Sequence, residues 1–521
     1  MGIGSSTLRH SAIYSVATVL GRLAGFIMLP FYAHIFQAEG YGVIGMIDTS
    51  LGLLTVLLAG GLQTAILRVY HEHSDQATKN VVLGTGILLV WGIGAALVAL
   101  PILFSASISK VVLGSANYYL EFCLALVIFV VEVAGQSAST IQIVRQQSVL
   151  FSVIGLVRLV LGLGLNIWLV VVLQVGLIGV FISSFVSAVV AALAFHIVAA
   201  REHGFGFDRK IAIALMGFQL PLLPGEIVAF VGRQAERVVV RMQIGIEAMG
   251  VLEMAYKFAP LLNQLIAIPF RRAWTTKSIE IAANNGAPAV IGEMFTHLMF
   301  VMIFAGLVMA VSIPGLLELM TPPEFWQAAR VAQVEIVTTI VGVAGTYLTF
   351  GLIYRKKTIT LSVVKLVLTP LKIVMAIAFV AKWGLAGAAY SALVIELVSI
   401  VWISSRSQAC YRIPIEYGKL FLMVVVAAAL FTALDGNAYA QFAPADFVRE
   451  HVFASSLSVL QDLTPAGGKL ARMIQYLGER QEPALRALLN AVSCLAFLGL
   501  FPVILKRSAR DRLRDSGKGE P

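Results

Sequence analysis

Inside or beside long apolar runs of this chain lie the basic residues Arg22, Arg158, Arg233, Arg237, Lys257, Lys365 and Lys372. A charge at bilayer depth costs about 2.5–3.5 kcal/mol on insertion scales, so it faces a bundle interior or a wet cavity and marks a pathway. Arg offers a planar fork of donors that fits phosphate, and Lys a point charge. These residues are therefore candidates for holding an anionic group, with a phosphate or pyrophosphate head group the natural one. Arg22 shares a helical stripe with Ser11, Ser15 and Thr18, and Ser362, Lys365, Thr369 and Lys372 form another. The acids Asp48, Glu132, Glu226, Glu335 and Glu396 also fall in apolar runs. They are candidates for carrying a coupling proton or sodium ion, and equally for serving as counter-ions to the cations. The competing structural reading pairs the cations locally: Glu236 adjoins Arg237, and Glu253 sits one turn from Lys257.

No other chemistry stands out. There is no Walker loop for ATP hydrolysis. Cys123, Cys410 and Cys494 have neither metal spacing nor a disulfide framework and read as packing residues. His71-Glu72-His73 lacks metallopeptidase spacing and reads as a solvated loop. The expectation is a protein with no catalytic set, no metal and no cofactor beyond a coupling ion.

The elements that must position these charges are helices in lipid. The chain has 521 residues, 59% hydrophobic and only 13% charged, against roughly 45–50% and about 25% in soluble domains. The apolar runs far exceed the ~9–11 residues of a membrane β-strand, which leaves an all-α integral membrane protein. About fourteen spans are expected, near 12–36, 42–67, 80–104, 118–143, 149–173, 176–199, 211–240, 247–270, 294–319, 329–354, 359–381, 384–404, 417–434 and 486–505. The first run is too long for a signal core, so no cleaved leader is expected. The net charge of +10 reads as the cytoplasmic bias of Lys and Arg rather than as nucleic-acid binding. Arg145, Arg201, Arg271, Arg355, Arg406 and the basic tail then fall on one side, which puts both termini in the cytoplasm. Residues 436–485 form a long outer connection with apolar residues at helical spacing, read as two amphipathic helices on the membrane surface.

A duplication with a period near 210 residues organises the chain. Leu20-Gly21-Arg22-Leu23-Ala24 recurs as Val231-Gly232-Arg233-Gln234-Ala235, and Gly176-Leu177-Ile178-Gly179 as Gly384-Leu385-Ala386-Gly387. Val157-Arg158-Leu159-Val160-Leu161 recurs as Val364-Lys365-Leu366-Val367-Leu368. The division this predicts is a six-helix lobe over 1–205, a parallel repeat of it over 206–412, helices 13 and 14 over 413–505 with the 436–485 insertion between them, and a basic tail over 506–521. Parallel lobes rock around a central site in many transporters, and Arg22 and Arg233, or Arg158 and Lys365, occupy equivalent places in the two copies.

The opening from Ser11 to Met46, with Gly21-Arg22, Leu29-Pro30 and the Glu39-Gly40-Tyr41-Gly42 turn, resembles the polysaccharide transporter family of the multidrug/oligosaccharidyl-lipid/polysaccharide exporter superfamily. The two six-helix copies with two extra helices fit that resemblance over nearly the whole chain; the 436–485 insertion departs from it. The resemblance implies a flippase that moves an undecaprenyl-pyrophosphate-linked oligosaccharide across the cytoplasmic membrane by alternating access. It implies a cationic cavity for the pyrophosphate, and as partners the lipid-linked oligosaccharide, membrane lipids, and a polysaccharide polymerase with its export machinery. The alternatives are a multidrug or peptidoglycan-precursor exporter of the same fold, or a membrane glycan polymerase or ligase.

Overall fold

In the computed structural model the described backbone comprises residues 3–435, except 146, 283–285 and 358, together with 487 and 490–499. Side chains before Gly25 lie outside the described set. So do the expected surface helices of 436–485, most of the fourteenth span, and the basic tail. Every regular element among the described residues is helical, as lipid demands when no water is present to satisfy backbone N–H and C=O groups.

The chain divides into two compact units, Met1–Gln234 and Ala235–Pro521. In chain order, the first unit contains α1 (Ile3–Ala59), α2 (Leu62–Glu72), α3 (Gln76–Leu103), α4 (Ser105–Leu113), α5 (Tyr119–Ala138), α6 (Thr140–Val144), α7 (Ser148–Asn166), α8 (Ile178–Glu202) and α9 (Arg209–Gln219). The division falls within α10 (Leu223–Gln243), later in the chain than the repeat boundary read at residues 205 and 206. The second unit continues with α11 (Ile246–Ala255), α12 (Ala259–Leu262), α13 (Ile268–Ala282), α14 (Ala287–Met320), α15 (Ala328–Leu348), α16 (Phe350–Tyr354), α17 (Ile359–Cys410) and α18 (Tyr417–Asp435). Among the described residues, 10 helical stretches are long and apolar enough to cross a membrane. One of them, Ile359–Cys410, holds two of the expected spans joined at a sharp bend at Gly384 (φ 58°), and α1 bends in the same way at Gln37 (φ 56°), between the first and second expected spans.

The helix starts follow from the sequence. Asp75 caps α3 by accepting from the Thr78 amide at 2.9 Å, and Asp208 caps α9 by accepting from Lys210 and Ile211. The Thr78 hydrogen bonds hold the exposed Asp75 carboxyl below its usual range. The expected eighth span, 247–270, is not one helix. α11 stops at Ala255, Tyr256–Phe258 turn, and α12, a π-helical turn (Asn263–Ala267) and α13 follow. Pro260 explains the break: it has no N–H to give to the carbonyl of residue 256, and its ring collides with that turn.

The recurring Gly-x-x-Gly marks a bend in each unit, a non-helical link over 173–177 in the first and a kink within α17 in the second. Gly176 (φ +89°) and Gly384 (φ +58°) take the left-handed conformation that turns one helix into the next. The second glycine then packs on the end of the preceding helix. A Cβ on Gly179 would sit 3.3 Å from the Leu169 side chain, and one on Gly387 would overlap the carbonyl of Phe379. Beyond the bend, the halves of α17 fold back on each other, with Val364 and Leu368 packed against Ile395. At the other end of the second unit, Phe300, Leu307 and Val311 of α14 pack with Met423 and Leu434 of α18 and with Cys494 and Phe497. Cys494 is thus a packing residue, as expected of it.

Gly387→Ala is expected to cost more than about 2 kcal/mol, because the added methyl meets backbone rather than a movable side chain. Gly164→Ala, in α7 with open space around it, gains or holds stability. Thermal unfolding of the detergent-solubilised protein checks both; equal effects would contradict the close approach.

Candidate functional site

In the first unit, residues of α2, α5, α7 and α8 line a partly open cavity of about 370 Å³. Arg158 of α7 and Glu132 of α5 form an ion pair on its wall, their side chains 40% and 30% exposed. Phe151 and Phe195 line another part of it, ring centroids 5.7 Å apart. Gln63 and Gln136 line it as well, both exposed side chains. The helices that hold these groups are fixed to one another by polar pins. Asn166 of α7 donates to Ser183 of α8 at 3.0 Å, and Trp91 of α3 donates to His196 of α8 at 2.9 Å. Because His196 Nε2 accepts from Trp91, its proton sits on Nδ1, which donates to the Ala192 carbonyl at 2.7 Å.

The second unit gathers a denser set of charges. Arg237 of α10 pairs with Glu253 of α11, and its guanidinium lies 4.7 Å from the centre of the Tyr256 ring. Its chain neighbour Glu236 points elsewhere and meets Lys372 of α17 at 2.8 Å, with only 3% of the Glu236 side chain exposed. Glu335 of α15 lies within electrostatic reach of Glu236, Lys372, Arg237 and Glu396. One Glu335 carboxylate oxygen is buried with no hydrogen-bond partner among the described residues. Glu396 of α17 packs its carboxylate on Gly342 of α15, where a side chain would come within 3.3 Å of it. Arg237 and Lys372 thus stand against Glu236, Glu253, Glu335 and Glu396, so this interior carries more acid than base.

Of the basic candidates, Arg158, Arg237 and Lys372 are each neutralised by a carboxylate. Arg233 on α10 and Lys365 on α17 are exposed and make no ion pair with a described residue. Lys257 is exposed in the turn that follows α11, and Glu253 pairs with Arg237. Arg22 belongs to α1, and its side chain lies outside the described set. Among the acids, Glu132 is the counter-ion of Arg158, while Asp48 and Glu226 are exposed on α1 and α10. Glu236 and Glu253 were legible only as local counter-ions, and Gln63, Gln136, Phe151 and Phe195 not at all. Their one signal was a polar or aromatic residue at helical spacing in an apolar run, which packing alone also produces.

Removing one partner of a buried pair strands the other charge, a cost of about 3–5 kcal/mol. Lys372→Met is therefore expected to destabilise strongly and Lys372→Met with Glu236→Gln to recover most of the loss. A double-mutant cycle on thermal unfolding reads this coupling; strictly additive effects would contradict the pair.

Comparison with known proteins agrees with this architecture. The chain is 23% identical over 267 residues to the succinoglycan biosynthesis transport protein ExoT of Rhizobium meliloti (strain 1021), an alignment over 51% of this chain and 52% of that protein. The chain therefore matches about half the length of this relative. In structure it is similar to the lipid II flippase MurJ in an inward closed conformation, with a TM-score of 0.70 and 13% identity over 95% of this chain and 100% of that one. It is also similar to an inward-facing multidrug resistance MATE family transporter of the MOP superfamily, with a TM-score of 0.59 and 13% identity over 75% and 96% of the two chains. These likenesses establish a multi-pass membrane fold of the MurJ and MATE type, shared with proteins named as transporters and not as enzymes. The model of the polysaccharide biosynthesis protein family matches residues 7–275, just over half of the chain, and the chain belongs to that family.

Proposed function

We propose that this protein is a flippase that carries a lipid-linked oligosaccharide, on undecaprenyl pyrophosphate, from the inner to the outer leaflet of the cytoplasmic membrane. The two lobes alternate access, both termini lie in the cytoplasm, and the product goes to a surface-polysaccharide polymerase and its export machinery. The observation that carries the reading is the presence of open cations on apolar helices in a member of this family. Arg233 and Lys365 are exposed and not ion-paired with a described residue, which leaves the donors of each open to a phosphate group. Arg22, the repeat equivalent of Arg233, is a further candidate, and Lys257 is one by its place in the sequence alone. Arg158, Arg237 and Lys372 belong in a supporting role, since each already has a carboxylate.

The acid-rich interior of the second unit suits the other half of the cycle, uptake of a coupling cation. Glu335 and Glu396 are the candidates there, because Arg237 and Lys372 are satisfied by Glu253 and Glu236. A proton and a sodium ion both fit that role. Among the alternatives, a peptidoglycan-precursor exporter uses the same pyrophosphate chemistry, and family membership favours surface polysaccharide over it.

Native mass spectrometry or thermal stabilisation with an undecaprenyl-pyrophosphate oligosaccharide tests the proposal. Wild type is expected to bind, and Arg233→Gln with Lys365→Gln to weaken binding at least about tenfold, the loss of one to two charge-assisted hydrogen bonds. Undiminished affinity in the folded double variant would remove these cations from the site.

A further inference from the structure

We infer that the cavity of the first unit is a subsite for a neutral sugar ring, and not the seat of the pyrophosphate. The inference rests on the proposed function for its biological setting, yet its physical basis is local. Arg158 was the one described cation that reaches this cavity, and Glu132 neutralises it. A phosphate docking here would meet that carboxylate at short range in a medium of low dielectric, where like charges repel strongly. A sugar hydroxyl faces no such conflict. It is donor and acceptor at once, so it accepts from the guanidinium while giving its proton to the carboxylate. Both side chains remain partly exposed and keep donors and lone pairs available.

The rest of the wall has the same character. Gln63 and Gln136 each present an amide with donors and an acceptor, and neither amide has a hydrogen-bond partner among the described residues. Phe151 and Phe195 supply an apolar surface, which suits the C–H face of a pyranose. A mostly apolar pocket with a few placed polar groups is the usual make-up of a small-molecule site, and about 370 Å³ lies within the common range of ~300–1,000 Å³. Gly155 on α7 borders the cavity and has no atom within 4 Å of where its Cβ would be. A side chain placed there fills the cavity without striking the backbone.

Saturation-transfer difference NMR on the full chain in nanodiscs tests this, with maltotriose, cellotriose and mannotriose as lipid-free probes at millimolar concentration. At least one is expected to receive saturation at its ring C–H protons. Gln136→Met, which removes the amide and keeps the shape, should lower the signal about fivefold, the worth of one hydrogen bond, and Gly155→Leu, which fills the space, should lower it at least as much. Excess inorganic pyrophosphate should leave it unchanged. Thermal unfolding confirms that the variants fold; if one does not, the other decides. The inference is overturned by no transfer to any of the probes, by an undiminished signal in the folded variants, or by displacement with pyrophosphate. A chain that binds these glycans but not the lipid-linked oligosaccharide would sink the flippase reading and leave the subsite. The reverse result would sink the subsite alone.

Discussion

The cost of an unpaired charge in an apolar medium governs how the described ionisable groups inside this protein are arranged. Among the described residues, three cations are met by a carboxylate from another helix: Arg158 by Glu132, Arg237 by Glu253, Lys372 by Glu236. Each pair adds a polar tie between two helices, where lipid gives no hydrophobic drive between apolar helices. The pairs therefore act at once as structural ties and as the means by which charge is kept at depth. What remains open, Arg233 and Lys365 on exposed faces and Glu335 with one unsatisfied oxygen, is where ligand or ion chemistry is to be sought.

The two units use charge differently. The first holds a balanced pair beside amides and aromatic rings around a cavity. The second concentrates carboxylates around two cations. A balanced pair suits polar, uncharged groups, and an excess of acid suits a small cation. On the proposed reading, this division would give the glycan and the coupling ion separate places in the chain, so that neither competes with the other for the same charges.

The class of fold was legible in the sequence because hydrophobic runs of helical length report directly on the solvent. The bends were partly legible: Gly176 and Gly384 stood in the repeat, and both proved to be left-handed turns. The break in the eighth span carried its signal in Pro260, but an apolar run read at low resolution smooths over a single proline. The site was less legible, for a physical reason. Ion pairs across helices join residues far apart in sequence, as with Arg158 and Glu132 or Lys372 and Glu236. Spacing along one helix reveals only neighbours at three or four residues. Hence the list of charged residues was readable, acids and bases alike, while which of them cancel across helices was not.

The most direct measurement is flipping of a fluorescent undecaprenyl-pyrophosphate oligosaccharide by the purified chain in proteoliposomes, read as loss of outer-leaflet quenching with proton and sodium gradients imposed in turn. The account predicts protein-dependent flipping that one of the two gradients accelerates, with no glycosidic bond made or broken. Quenching that matches protein-free vesicles under both gradients, with a matched native glycan, would contradict it.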